Sequence, residues 1–257
     1  VLRFCCLGSG SEGNALVVEA HDGLTVTRIL IDNGFGPREL ARRLTRAELT
    51  IADLDAVVIT HEHSDHIGGV RALVRKRRIA VFASAGTTRA AEIGDDADLR
   101  CLRSGESVAI GGVTVMPYVV PHDAAEPLQF VFSDGNRRLG LLTDIGAPNH
   151  DVARMLDGLD ALILECNHDA ELLASGAYPP FLKARIAGDR GHLSNAQAAA
   201  LLGQIDRSRL GFIAAAHLSQ RNNRPELARR AIAASLGCDA GDIEVAAQDE
   251  GFAWRTA

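Results

Sequence analysis

The sequence has no cysteine pairing pattern, no long apolar run and no excess of positive charge, and each absence narrows what the chain can be. Its five cysteines (5, 6, 101, 166 and 238) are odd in number and scattered, with no C-x-x-C. That usage fits buried thiols in a reducing compartment and argues against a disulfide framework. No apolar run approaches the ~20 residues of a membrane span. The opening segment, Leu2-Arg3-Phe4-Cys5-Cys6-Leu7, lacks the basic-then-apolar layout of a signal peptide. The expected location is therefore the cytoplasm, with no membrane partner. A net charge of −6 argues against a globally basic nucleic-acid binder, though not against a local basic patch. What remains is ample for a core: 257 residues, 47% hydrophobic, enough for one large α/β domain or two small ones.

The chain is organised around His61-Glu62-His63-Ser64-Asp65-His66. It follows a short β-branched run, Ala56-Val57-Val58-Ile59, which reads as a buried strand. Gly68-Gly69 and a helical pattern come next, so the cluster is expected on a loop at a strand's C-terminal end, where α/β folds place their sites. Imidazoles and a carboxylate are ligands for a borderline divalent metal. The spacing is not the helical H-E-x-x-H, because Asp65 stands four residues after His61. Alternation along a loop would turn His61 and His63 one way and Asp65 and His66 another, a way to hold two metals. The bland alternative is a turn that happens to be rich in histidine.

Taken in order, the first strand ends in Gly8-Ser9-Gly10-Ser11-Glu12-Gly13-Asn14, followed by another strand, Ala15 to Glu19. The loop is a hairpin turn, a donor of N–H and hydroxyl groups to a site, or both. A third strand, Thr25 to Ile31, ends in Asp32, either a turn-former or an acceptor for a ligand histidine. Helices are expected from Pro37 to about Arg46, from Gly69 to Arg78 and from Thr87 to Ile93, with a short strand at Ala80-Val81-Phe82. Strands follow at 107–110, 113–120, 128–132 and 138–142, the last two joined by an Asp134-Gly135-Asn136 hairpin turn. Asn149 to Leu156 is helical, 161–164 is a strand ending in Glu165-Cys166-Asn167-His168-Asp169, and 170–190 is helical around Pro179-Pro180. Ser194 or Asn195 caps an Ala-rich helix. A strand at 211–216 ends in His217, a helix runs from near Pro225 through Ala234, and a closing strand pair lies near 243–245 and 252–254. No linker or short repeat interrupts this, and the second half broadly repeats the first. The reading is a single domain over 1–257, built from two similar halves with two packed sheets and helices outside.

Of nine histidines, His21 and His150 sit in turn-like contexts. The other seven (61, 63, 66, 122, 168, 192 and 217) lie just beyond apolar or glycine-bounded segments, as does Asp144. Strand ends along one sheet edge converge on one cleft. His61, His63, His66 and His217 with Asp65 and Asp144 suffice for two metals.

With these residues in view, H-x-H-x-D-H at 61–66 with downstream His122, Asp144 and His217 resembles the metallo-β-lactamase superfamily. The resemblance covers the whole chain and implies an α/β fold, the αββα sandwich of two mixed β-sheets. It implies that His61, His63 and His122 hold one metal, that Asp65, His66 and His217 hold another, that Asp144 bridges them, and that Asp32 orients the metal-binding loop. Gly191-His192-Leu193-Ser194 and Ala216-His217-Leu218-Ser219 are similar to tRNase Z motifs, in which a glutamate, here Glu165, pairs with the first histidine. The Ser9–Asn14 loop, the 164–169 segment and His217-Leu218-Ser219 with Asn222-Asn223-x-Pro225 most resemble the YycJ/WalJ (VicX) group, linked to exonuclease activity on double-stranded DNA. Only 22 positions separate His122 from Asp144, leaving no room for a tRNase Z gripping arm. Only 73 separate Asp144 from His217, leaving no room for a β-CASP insert.

The resemblance implies a metal-dependent phosphodiesterase, a DNA exonuclease working through a two-metal activated hydroxide. The cations would be Zn²⁺, Mn²⁺ or Fe²⁺, since the donors are nitrogen and oxygen only. Catalytic roles fall to His192, to Glu165 beside it, and to Asp65. His168 reads as an extra ligand, a supporting residue or a structural one. Ser9, Ser11, Asn14, Ser219 and Asn223 are candidate substrate contacts, and Arg71, Arg75, Arg77, Arg78, Arg221 and Arg224 candidate nucleic-acid contacts. Aromatic residues make up only 4% of the chain, which favours recognition of the backbone over stacking on splayed bases. The rival readings are a glyoxalase II-like thioesterase or lactonase on the same fold, and a non-catalytic regulator.

Overall fold

The computed structural model describes residues 1–21, 23–93 and 97–257. Short runs of aliphatic and β-branched residues, punctuated by glycine and Asx turns, become strands: β1 (Leu2–Gly8), β2 (Ala15–His21), β3 (Val26–Ile31), β4 (Ala56–Val58), β5 (Ala80–Ser84), β6 (Asp98–Leu102), β7 (Val108–Ile110), β8 (Val113–Val119), β9 (Leu128–Ser133), β10 (Arg138–Leu142), β11 (Ala161–Glu165), β12 (Phe212–Ala216), β13 (Glu244–Val245) and β14 (Phe252–Thr256). Between them run α1 (Pro37–Arg46), α2 (Ser64–Ile67), α3 (Val70–Lys76), α4 (Ala85–Ala91), α5 (His150–Met155), α6 (Ala170–Ser175), α7 (Pro180–Ile186), α8 (Asn195–Leu202) and α9 (Pro225–Leu236).

The strands form two sheets, in the orders β14-β1-β2-β3-β4-β5-β6 and β7-β8-β9-β10-β11-β12-β13. In each, the first three pairings are antiparallel and the last three parallel. The two halves therefore share one topology, as the repeating order of elements implied. Side chains alternate across each strand and so sort into layers. Leu2, Phe4 and Cys6 of β1 join Phe130 and Phe132 of β9 between the sheets. Cys5 and Leu7 face the other way, beneath Leu40 and Leu44 of α1. Leu162 and Leu164 of β11 pack under Leu201 of α8 and Ile232 of α9. Each fully buried side chain of this size contributes about 1.5–3 kcal/mol. The order is helix, sheet, sheet, helix.

Four expectations are corrected. The closing segments do not pair: β13 joins β12 in one sheet and β14 joins β1 in the other, so the chain crosses between sheets at 246–251. An edge strand, β6, is added to the expected ones: Leu99 and Cys101 alternate with Asp98 and Arg100, but over only five residues, four of them exposed. Helix α4 starts two residues early, since the Ser84 hydroxyl caps it by accepting from the Thr87 N–H. The motif is not a continuous loop: Ser64–Ile67 forms one helical turn, which brings the His66 ring back to 4.1 Å from that of His61, with Asp65 beside it. Cys101 and Cys238 are exposed, unlike the three buried thiols, Cys5, Cys6 and Cys166.

Candidate metal centre

All the sequence-designated ligands arrive at one rim because the parallel strands end there. Asp32 follows β3, His61 follows β4, His122 follows β8, Asp144 follows β10, Glu165 ends β11 and His217 follows β12. Three of these turn through the left-handed region: Asp32 (φ 57°), Asp144 (φ 56°) and His217 (φ 54°). That conformation costs a non-glycine residue about 1–2 kcal/mol, and such strain gathers where side chains must be aimed. Asp32 and Asp144 follow topologically equivalent strands, so the two halves contribute matching carboxylates. Gly34 is needed for close approach, because a Cβ there would collide with the Asp65 carbonyl.

The ligand atoms fall into two main groups, His61 with His63 and His122 and Asp65 with His66 and His217, and two further ones through Asp144, with His61 and His66 and with Glu165, His192 and His217. His61 Nε2 lies 3.0 Å from His63 Nδ1, and His122 Nε2 lies 3.3 Å from the same atom. Two nitrogens bound to one tetrahedral zinc are about 3.3 Å apart. Asp65 Oδ2 lies 3.4 Å from His217 Nε2 and 3.5 Å from His66 Nε2. Asp144 spans both groups, 3.1 Å from His66 Nε2, 3.6 Å from His217 Nε2 and 3.9 Å from His122 Nε2.

The outward ring nitrogens fix the protons. Thr60 Oγ1 donates to Asp32 Oδ2 at 2.8 Å, so it accepts from His61 Nδ1 at 3.0 Å. His66 Nδ1 donates to Asp32 Oδ2 at 2.7 Å, His63 Nε2 to the Asp123 carbonyl at 3.2 Å, and His122 Nδ1 to the Gly191 carbonyl at 3.0 Å. Each of these four imidazoles thus turns its other ring nitrogen inward, that of His66 lying 3.1 Å from the Asn14 amide nitrogen. Asp144 Oδ2 is buried with no hydrogen-bond partner among the described residues. Converging lone pairs and carboxylates need positive charge at their focus, and the donor set fits a divalent cation.

The electrostatics agree. Burial alone would lower His66 and His217. The Asp144 and Asp32 carboxylates override it for His66, which is raised, and Asp144, Asp65 and Glu165 push His217 up to about 10. Burial, and then the neighbouring imidazoles, hold His61 well below the usual range. Asp65 and Asp144 lie below the carboxylate range despite burial, because imidazoles surround them.

His192 stands beside this set. Its Nδ1 donates to Glu165 Oε1 at 2.7 Å. Glu165 is fully buried, and its Oε2 accepts from the N–H groups of Ile145 (3.0 Å) and Leu193 (3.1 Å). Burial would raise that carboxyl, but the His192 charge and hydrogen bond draw it down to about 2. His192 itself is raised, since Glu165 outweighs the effect of burial. Ser194 then starts α8 with a capping box to Gln197. His192 lines an open cleft of about 290 Å³ with Asp65, Asp144 and His217.

Four of the five expected substrate contacts have other work. Ser9 accepts from the His217 N–H at 2.9 Å, and the Asn14 N–H donates to the Asp65 carbonyl at 2.7 Å. The Ser219 N–H donates to the Asn167 carbonyl, and Asn223 makes a reciprocal amide pair with Asn195. All four are buried, as braces for ligand loops. Ser11 alone is exposed and lines the cleft. His168 is buried beneath the His192 loop, its carbonyl accepting from the Asn195 N–H at 2.8 Å, and it belongs to none of the ligand groups among the described residues. The basic run on α3 is exposed at Arg71, Arg75 and Arg78, while Arg77 donates to the Ile51 carbonyl. Sequence reasoning missed Thr60, which links His61 to Asp32, and the cleft pair Asp123–Arg185. Adjacency to His61 and His122 was the available signal for Thr60 and Asp123.

Asp32→Ala removes the partner of His66 Nδ1 and of the Thr60 hydroxyl. Metal affinity is expected to fall ~10–100-fold, read by competition with a chromogenic chelator. Unchanged affinity would show that Asp32 does not orient the ligands.

Residues 27–213 match the family described as Beta-lactamase superfamily domain. The exodeoxyribonuclease YycJ of Bacillus anthracis is 38% identical over 239 residues, 91% of this chain and 89% of that protein. The exodeoxyribonuclease WalJ of Streptococcus pneumoniae is 34% identical, over 88% of this chain and 85% of that one. Among solved structures, the metallo-β-lactamase fold protein YhfI from Bacillus subtilis superposes with a TM-score of 0.77 at 14% identity, covering 100% and 99% of the two chains, a likeness of fold. The chain is a hydrolase of the metallo-β-lactamase superfamily and belongs to its YycJ/WalJ group.

Proposed function

We propose that the chain is a metal-dependent nuclease that releases nucleotides from DNA ends, with DNA preferred over RNA, working in the cytoplasm as one catalytic unit over residues 1–257. The observation that carries this reading is the His192–Glu165 pair at the cleft. A sugar alkoxide leaving a phosphodiester needs a proton, whereas the thiolate expelled by a thioesterase needs none. The names of the two relatives, both exodeoxyribonucleases, support DNA as the substrate.

His61, His63 and His122 would hold one divalent cation and Asp65, His66 and His217 a second, with Asp144 shared. Bound there, two such ions (Zn²⁺, Mn²⁺ or Fe²⁺) would draw the pKa of a water from ~15.7 toward ~7 and neutralise phosphate oxygens. His192, held by Glu165 through Nδ1, presents its other nitrogen to the cleft. In its protonated form it donates to the departing oxygen. Buried Glu165 fixes the ring and keeps it charged.

The test is a digestion panel with added Mn²⁺: end-labelled duplex DNA, single-stranded DNA, RNA of the same sequence, and a thioester. The expected result is stepwise loss of nucleotides from a DNA end. Thioester turnover without phosphodiester cleavage would reverse the reading.

A further inference from the structure

Of the eight phenylalanines in the chain, six are buried and Phe212 is half-buried, but Phe181 is 74% exposed. It lies on α7, whose Leu182, Arg185 and Ile186 form one wall of the cleft that holds His63 and His192. Phe181 and Arg185 are four residues apart, so they share one helix face, the phenyl ring about 6 Å further along the axis.

The helix is fastened to the site. The His192 N–H donates to the Ile186 carbonyl at 2.8 Å, and Gly191 lets the chain pass against that turn, where a Cβ would strike the Arg185 and Ile186 carbonyls. The Lys183 ammonium donates to the Ala174 carbonyl at 2.6 Å, tying α7 to α6. Arg185 donates through Nε (2.7 Å) and Nη2 (2.6 Å) to Asp123 Oδ2, next to ligand His122. Of the five N–H groups on a guanidinium, the rest have no partner among the described residues. Just before α7, the Tyr178 ring lies 5.9 Å from the guanidinium of Arg221, in the loop after His217. An exposed apolar ring on the helix that walls a polar cleft, one turn from an anchored cation, matches a base followed by its phosphate.

We propose that Phe181 stacks on the unpaired base of the strand entering the cleft while Arg185 holds that strand's phosphate, so that the enzyme reads a frayed or single-stranded end. This deepens, and rests on, the nuclease reading above. It also revises the expectation, drawn from scarce aromatics, that recognition of the backbone is favoured over stacking on splayed bases.

The experiment compares single-stranded oligonucleotides that are intact or carry an abasic site at the 3′ or the 5′ terminal nucleotide, with Mn²⁺. Stacking is worth ~1–3 kcal/mol per base, so removing the base at one end should raise wild-type KM about tenfold. Phe181→Ala should abolish that discrimination, giving equal KM for both substrates, and Phe181→Trp should restore it. Arg185→Gln should flatten the dependence of log KM on log salt by about 0.7. If wild type does not discriminate, or Phe181→Ala discriminates as wild type does, the stacking role is wrong. An unchanged salt slope would remove Arg185 from the clamp. If wild type cleaves no nucleic acid, the nuclease reading falls and this inference with it.

Discussion

His192→Ala is expected to lower turnover by ~10²–10⁴, the scale of a general acid, while metal content stays at the wild-type level. The ring contributes its Nδ1 proton to Glu165 and faces the cleft with its other nitrogen, so its loss empties no metal position in this assignment. The pH profile gives a second reading. Burial lowers His192, but Glu165, followed by Asp144, raises it above its ordinary value. The acid form therefore persists to higher pH than in an ordinary imidazole, and the rate falls as pH rises through that raised value. Glu165→Gln removes the charge that raises it, so the falling limb should move to lower pH. Loss of metal in His192→Ala would make the residue a ligand, and an unmoved limb in Glu165→Gln would remove the coupling.

Asp144→Ala should have the larger effect. Its carboxylate lies within 4 Å of imidazole nitrogens from His66, His122, His192 and His217, members of both ligand groups among them. Removing it would take away the ligand proposed to be shared and much of the negative charge that a second cation would balance. Activity is expected to fall at least ~10⁴-fold, between loss of one general acid and loss of an entire catalytic unit, ~10⁶. Bound metal, measured by mass spectrometry of the digested protein, should drop below two equivalents per chain. Two equivalents with less than a tenfold loss of rate would show that Asp144 is not shared.

The contiguous part of the centre was legible because chemistry and position coincide there: three histidines and a carboxylate directly after a β-branched run have few structural uses. His122, Asp144 and His217 were legible for the same reason, each following an apolar strand. The braces were not. Ser9, Asn14, Ser219 and Asn223 look alike whether they face a substrate or a neighbouring loop, and only packing showed them buried, Ser9 against His217, Asn14 against Asp65, Ser219 against Asn167 and Asn223 against Asn195. In the fold, buried strands declared themselves, whereas β6, at an exposed edge, and the split of β13 from β14 depended on long-range pairing that no local pattern encodes. Phe181 was invisible for a related reason, because its significance lies in being left exposed.

The central claim is that two divalent ions share this rim. Anomalous diffraction from crystals grown with Mn²⁺, collected on either side of the manganese edge, tests it most directly. The account predicts two peaks per chain, one enclosed by His61, His63 and His122 and one by Asp65, His66 and His217, both within reach of Asp144. A single peak, or peaks away from these side chains, would contradict it.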